Sequence, residues 1–141
     1  MATILLRVPL DAEPNDVYGA LATTEGVNGW WSNHTEGPDG VGSPMKVGFP
    51  DAPITFDFEV VEQGAGKRVA WRCLAGPPEW IGTSITYDIQ TREGETSVLF
   101  AHDGWSTTEE SFPFIAYSWA QILPRLQKLA ETGESDPFFD F

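Results

Sequence analysis

Cysteine, histidine and positive charge are all scarce in this sequence, and each shortage excludes a class of protein. Cys73 is the single cysteine, so the chain cannot form an internal disulfide bond, which is typical of a reducing compartment. The two histidines, His34 and His102, lie far apart and make no recognisable metal-ligand spacing with Cys73. The glycine-rich residues 37–42 lack the lysine and the following helix of a phosphate-binding loop. We therefore expect a cytoplasmic protein with no metal site and no cofactor.

Positive charge is outnumbered by negative charge, with 8 basic against 21 acidic residues and a net charge of -13. Such an excess repels the phosphate backbone of nucleic acids and anionic lipid headgroups, and no run of Lys or Arg opposes it. Apolar runs of transmembrane length are missing as well. We expect neither nucleic acid nor a membrane as a partner, and we interpret the acidity as a contribution to solubility.

Alternating apolar and polar residues predict strands with one dry face. In the run 54–60 every even position is apolar, and in the run 84–90 the residues Ile85, Tyr87 and Ile89 share one face. Further strands are predicted at about 3–8, 45–49, 68–74 and 96–102, joined mainly by short turns, which favours an antiparallel sheet. The inferred inner face consists of Phe56, Phe58, Val60, Val69, Trp71, Cys73, Ile85, Tyr87, Ile89, Val98, Phe100 and His102.

A long helix near the C-terminus is predicted to cover that face. Between residues 115 and 129, apolar residues recur at spacings of four, three, four and three, which places them on one helical stripe. Pro124 lies inside the stripe and predicts a kink or break, and Gly133 is a plausible stop. Two shorter helices, one beginning near Pro14 and one at 25–31, precede the sheet. The 141 residues thus predict one α+β domain, residues 1–141.

The aromatic inner face is either a filled core or the lining of a pocket, and the sequence leaves both open. Of the adjacent Trp30 and Trp31, one can pack inward while the other lies at the rim of a cavity mouth, or both can anchor the short helix. A bend at Pro124 would open the interior near Trp31, Trp105 and Trp119. His102 is interpreted mainly as a satisfied buried or rim histidine, with ligand contact as the alternative. Because no Ser or Cys nucleophile pattern accompanies it, no catalytic residue is predicted.

Six short segments, spread over nearly the whole chain, carry a family resemblance. They are Trp30-Trp31, Val69-Ala70-Trp71, Trp80-Ile81-Gly82-Thr83, Phe100-Ala101-His102-Asp103-Gly104-Trp105, Tyr117-Ser118-Trp119 and Glu131-Thr132-Gly133-Glu134. In these segments the chain resembles the SRPBCC superfamily of START-like and birch-pollen-allergen-like proteins, and within it the branch related to the activator of the heat-shock chaperone ATPase. The resemblance implies a helix-grip fold, in which a curved antiparallel sheet wraps around the C-terminal helix.

Members of that superfamily bind lipids, hormones or polyketides, and some are cyclases or dehydratases. Our functional hypothesis is that the chain binds a small hydrophobic or aromatic molecule in a cavity between the sheet and the C-terminal helix. The expected ligand-binding residues are Trp31, Phe58, Trp71, Tyr87, Phe100, His102, Trp105, Trp119 and Ile122. The alternatives are an enzyme of cyclase or dehydratase type, with His102 or Tyr87 as proton carrier, and a chaperone-associated interaction module.

Overall fold

The computed structural model of the chain describes residues 1–51 and 55–141, and within them it forms one seven-stranded antiparallel sheet and three helices. In chain order the elements are β1 (Ala2–Leu10), α1 (Pro14–Ala22), α2 (Thr24–Asn28), β2 (Thr35–Glu36), β3 (Pro44–Val47), β4 (Phe56–Gly64), β5 (Arg68–Ala75), β6 (Ser84–Arg92), β7 (Glu95–Trp105) and α3 (Phe112–Thr132). The predicted strand start at Ile54 lies outside the described residues. The α+β helix-grip architecture is confirmed.

The strand order is β1-β7-β6-β5-β4-β3-β2, so every neighbouring pair from β2 to β7 is consecutive in the chain. This meander follows from the short turns between the strands. β1 joins the far edge by pairing with β7, where Ile4 lies opposite His102. The first and last strands of the sheet order are therefore separated by the whole curved surface that faces α3.

The predicted register of the sheet is confirmed. On β4, Phe58 and Val60 are buried, whereas Asp57 is only half-buried, and the inner-face positions of β5, β6 and β7 are all buried. On the outer face, Arg68 of β5 contacts Glu62 at 2.9 Å and pairs with Asp88 across the strands. Charge pairing between strands accounts for these outer groups.

α3 extends beyond both ends of the predicted segment 115–129 and runs without a break through Pro124. Of the predicted kink or break, the break is absent, and the kink stays a prediction. Proline removes one main-chain donor, but Pro124 and Ala120, whose carbonyl loses its partner, both lie on the exposed side of the helix, where water can hydrate that carbonyl. The helix ends as predicted at Gly133, which has a φ of 76° and donates to the carbonyl of Leu129 at 2.8 Å.

α2 ends at Asn28, three residues before the predicted boundary, because the chain must turn inward to bury both Trp30 and Trp31. The position of α2 against α1 depends on Gly26. A Cβ atom at Gly26 would lie 2.7 Å from the Cα of Ala20, so α1 and α2 approach each other through this glycine.

We expect Gly26→Ala to destabilise the fold by ~1–3 kcal/mol, because the backbone of α1 would have to move away. Gly19→Ala is the matched control on α1: a Cβ atom there meets nothing within 4 Å. Helix propensity alone should make this control more stable by ~0.5–1 kcal/mol. Denaturant unfolding of both variants measures the two changes, and equal stabilities would contradict the close approach.

Candidate functional site

The structure brings all nine predicted ligand-binding residues into one buried cluster under α3. We call this set the aromatic cluster. Its members and exposed fractions are Trp31 1%, Phe58 1%, Trp71 0%, Tyr87 0%, Phe100 0%, His102 0%, Trp105 1%, Trp119 1% and Ile122 4%. They come from the α2–β2 connection, from β4 to β7 and from α3, so only the folded chain assembles them.

Trp31 is the centre of one half of the cluster. Its ring centroid lies 5.9 Å from that of Trp71, with the planes almost parallel at 2°. The ring centroid of Trp31 also lies 5.1 Å from that of Trp119 on α3 and 5.8 Å from that of Phe58 on β4. These are ordinary aromatic contact distances, and each such pair adds ~0.5–1.5 kcal/mol beyond area burial. Trp31 therefore links the sheet to the helix.

Tyr87 and Phe100 connect this half to the rest of the cluster. The centroid of Tyr87 lies 5.0 Å from that of Trp71 and 5.4 Å from that of Phe100. Phe100 in turn lies 4.7 Å from Trp119, and His102 lies 4.7 Å from Trp105. Because His102 also lies 6.1 Å from Trp119, these contacts form one continuous network from the middle of the sheet to α3.

The network is filled in the described conformation. A space large enough for water would leave part of an adjoining side chain accessible, and the aromatic members are at most 1% exposed. Of the two alternatives for Trp30 and Trp31, the structure shows the one in which both are buried anchors and neither lies at a rim. Trp30 and Trp31 both point inward: the indole N–H of Trp30 donates to the carbonyl of Ala20 at 2.8 Å, and Phe49 covers Trp31 at 5.7 Å.

His102 is held as a neutral imidazole with a defined tautomer. The indole N–H of Trp119 donates to its Nδ1 at 3.1 Å, so Nδ1 carries no proton. The Thr83 hydroxyl donates its hydrogen to the carbonyl of Trp80 at 2.6 Å, and therefore accepts from the Nε2–H of His102 at 2.9 Å. Both ring nitrogens are satisfied by protein groups, which confirms the interpretation of His102 as a satisfied buried histidine.

Proton transfer near neutral pH gets no support from this geometry. Burial lowers the pKa of His102 to about 3, and the lone pair of its Nδ1 is occupied by Trp119. Burial also raises the pKa of Tyr87 well above its usual range and that of the Cys73 thiol to about 11. None of these three groups changes its charge at neutral pH.

Three buried donors in the aromatic cluster have no hydrogen-bond partner among the described residues. They are the indole N–H groups of Trp71 and Trp105 and the hydroxyl of Tyr87. A buried polar group left in this state costs ~1–3 kcal/mol, so each calls for a physical explanation. Trp30 and Trp119, in the same core, donate to Ala20 and His102.

Sequence reasoning missed several neighbours of the cluster. Trp80 packs on His102 at 4.7 Å and on Trp105 at 5.9 Å, although it belongs to one of the segments that carry the family resemblance. Phe49 was assigned only to a strand, and Thr83 had no periodic signal because it lies in a turn before β6. The loop between β5 and β6 folds over the sheet, and no local pattern predicts that placement.

A wide surface groove of about 1440 Å³ lies elsewhere, at the end of the sheet formed by the β6–β7 turn and the start of α1. Its walls include Arg7, Arg92, Glu95 and Glu131, and none of the nine expected ligand-binding residues lines it. Charges of both signs and wide access to solvent distinguish it from an apolar binding site.

Residues 1–51 and 55–141 contain neither a cluster of metal-ligating side chains nor a helix that could span a membrane. No group of three or more His, Cys, Asp or Glu side chains is placed to hold a metal ion there. Over the same residues, none of the helices has both the length and the apolar character needed to cross a membrane.

We expect Trp119→Ala to destabilise the fold by ~3–5 kcal/mol, because it empties a buried site and leaves Nδ1 of His102 without a donor. Tyr117→Ala is the matched control, since Tyr117 lies on the same helix and is 61% exposed. Its effect should stay within ~0.5 kcal/mol. Thermal unfolding of both variants checks this, and an unchanged melting temperature for Trp119→Ala would contradict the packing.

The pKa of His102 predicts an acid-sensitive contribution to stability. In the folded chain His102 stays neutral down to about pH 3, whereas in the unfolded chain it binds a proton near 6.5. This stabilisation is complete above pH 6.5 and is lost as the pH falls, by up to ~1.4 kcal/mol per pH unit. His102→Gln should reduce this slope between about pH 6 and pH 4. Denaturant unfolding across that range measures it, and equal slopes would contradict the assignment.

Comparison with known proteins identifies the fold and the family. No protein-family model and no curated protein matches the chain. Among solved structures, the chain is similar to that of an Aha1 dimer from Colwellia psychrerythraea, with 34% identity, a TM-score of 0.84, and coverage of 94% of this chain and 98% of that one.

Two further structures share only the fold. Protein MLL2253 from Mesorhizobium loti is 16% identical with a TM-score of 0.79, over 91% of this chain and 96% of that one. DynU16, from the dynemicin biosynthetic locus, is 19% identical with a TM-score of 0.80, over 99% of this chain and 51% of that one. On the first similarity, together with the helix-grip fold, the chain belongs to the Aha1-related branch of the SRPBCC superfamily.

Proposed function

We propose that the protein binds a small, mainly aromatic molecule carrying hydrogen-bond acceptors, between the sheet and α3. The observation that carries this proposal is the set of three unpartnered buried donors, Trp71 Nε1, Tyr87 OH and Trp105 Nε1. A ligand with carbonyl, ether or carboxyl oxygens would supply the acceptors that the described residues do not, and aromatic walls suit a flat apolar body.

The expected ligand-binding residues are those of the aromatic cluster, with Trp71 and Tyr87 as polar contacts. Their ring centroids lie 5.0 Å apart on neighbouring strands, so a ligand that packs on one ring also contacts the other. Because the cluster is filled in the described conformation, binding requires α3 and the sheet to separate locally. Pro124 favours such a movement, since it leaves the middle of α3 without one main-chain hydrogen bond.

A dye titration tests the proposal. Nile red is a neutral aromatic dye with a carbonyl acceptor, so the charge of the protein does not repel it, whereas pyrene is aromatic but has no acceptor. We expect saturable one-to-one binding of Nile red to the folded protein and binding of pyrene weaker by about tenfold, which corresponds to one lost hydrogen bond. Mass spectrometry under native conditions would reveal a co-purified molecule. Absence of saturable binding by either dye would overturn the proposal.

Tyr87→Phe separates a ligand contact from a structural role. Removing a hydroxyl without a partner should leave the fold as stable or more stable by ~1 kcal/mol, while Nile red binds about tenfold more weakly. Trp30→Phe is the control: its indole N–H already donates to Ala20, so stability should fall and the preference for Nile red over pyrene should persist. Loss of stability in Tyr87→Phe with unchanged dye binding would assign Tyr87 to the fold alone.

A second candidate function is a chaperone-associated interaction module. It is supported by the 34% identity with the Aha1 protein over nearly the whole of both chains. Phe114 and Tyr117, exposed by 66% and 61% on the outer side of α3, offer apolar contacts for such a role. Titration calorimetry with the purified heat-shock chaperone distinguishes the two. Chaperone binding that is lost in Phe114→Ala, without saturable dye binding, would favour this function over the first.

A further inference from the structure

The last seven residues fold back along the connection between α2 and β2. After Gly133 the chain reverses, and three of its N–H groups donate to consecutive carbonyls. Asp136, Phe138 and Phe139 donate to Gly29, Trp30 and Trp31 at 3.0, 3.0 and 2.9 Å, and Asn33 donates back to the carbonyl of Phe139 at 3.0 Å. We call residues 135–141 the tail, and the surface it lies on, from Gly29 to His34 with Phe49 and the end of α3, the tail groove.

The main-chain carbonyls that line the tail groove need hydrogen-bond donors. Trp30 and Trp31 are fully buried, so their carbonyls have little access to water, and the tail supplies their donors. Side chains of the tail then fill separate places along the groove. Phe139 packs edge-on against Phe49 at 5.0 Å, and Phe141 stacks on His34 at 3.9 Å. Main-chain pairing with separate side-chain places is a general mode of recognising extended peptides.

Two cations give the groove a charge preference. Arg125 and Lys128, on the last turns of α3, contact the carboxylate of Asp136 at 3.0 and 2.9 Å. The guanidinium of Arg125 also lies 5.7 Å from the ring centre of Phe138. In a chain with only 8 basic residues and a net charge of -13, two cations on one carboxylate favour an acidic residue at this position of the occupant.

We propose that the tail groove is a docking site for an extended segment of a partner protein. This segment carries an acidic residue, followed two and three positions later by aromatic residues. The tail occupies the groove in the absence of the partner. The tail is suited to exchange. It makes a single β-bridge and no regular strand, and Phe141 is still 49% exposed. As a tethered competitor it acts at an effective concentration on the order of millimolar, so a partner binds strongly only when the tail is weakened.

The test uses the full chain and a fluorescently labelled peptide with the sequence of residues 133–141. Phe139→Ala weakens the tail, and we expect this variant to bind the peptide at least about tenfold more tightly than the unchanged chain, as measured by fluorescence anisotropy. Asp136→Asn, on the surface, is a second tail-weakening variant in case the first is unstable. Leu5→Ala, on the exposed face of β1 at the other edge of the sheet, is the control and should behave like the unchanged chain.

A variant of the peptide tests whether the tail groove prefers an acidic residue at the position of Asp136. A peptide with its own Asp136→Asn change should bind the Phe139→Ala protein more weakly, and salt should weaken the unchanged peptide more than the altered one, because the contact with Arg125 and Lys128 is ionic. Equal peptide binding by all the proteins, or none by either tail variant, would overturn the proposal and leave the tail as a structural strap. Dye binding is measured separately, so failure here is distinct from failure of the ligand proposal.

Discussion

The hydrogen bond from Trp119 to His102 joins the helix to the sheet, and the rest of the interior is arranged around it. It holds Nδ1 as an acceptor, which leaves the proton on Nε2 and directs it to Thr83 in the turn before β6. Through Thr83 and Trp80 the same chain of contacts positions the loop that covers the sheet. Protonation of Nδ1 would turn this attraction into two opposed donors, so the packing of α3 is expected to weaken in acid.

The aromatic cluster combines features that a purely structural core would avoid. Tyrosine and tryptophan are usually buried only where their polar atoms find partners. Here Trp30 and Trp119 follow that rule, while Trp71, Trp105 and Tyr87 do not among the described residues. At Tyr87, phenylalanine would fill nearly the same space without the unsatisfied hydroxyl. Conflict between local stability and residue choice is expected where a site serves binding, and this supports a ligand with acceptor atoms.

Much of the fold could be predicted from the sequence, because alternation and helical spacing report directly which face of an element is dry. The inner residues of β4 to β7 and the stripe of α3 were identified in this way. The helix has no break at Pro124 because the carbonyl of Ala120 is exposed, which depends on how the helix is oriented. Trp31 does not lie at a rim because the tail and Phe49 cover that side. The contact of the tail with Trp31 joins residues about a hundred positions apart, and neither it nor the contact with Phe49 follows from a local pattern.

The sequence by itself determined the element order, the faces of the strands and the identity of the residues that meet under α3, since these depend on periodicity within each segment. Only the tertiary structure decided whether those residues enclose space or fill it, which tautomer His102 adopts, and where the tail lies. These depend on distances of a few tenths of an ångström between segments far apart in the chain, and on which donors remain after the close partners have been matched.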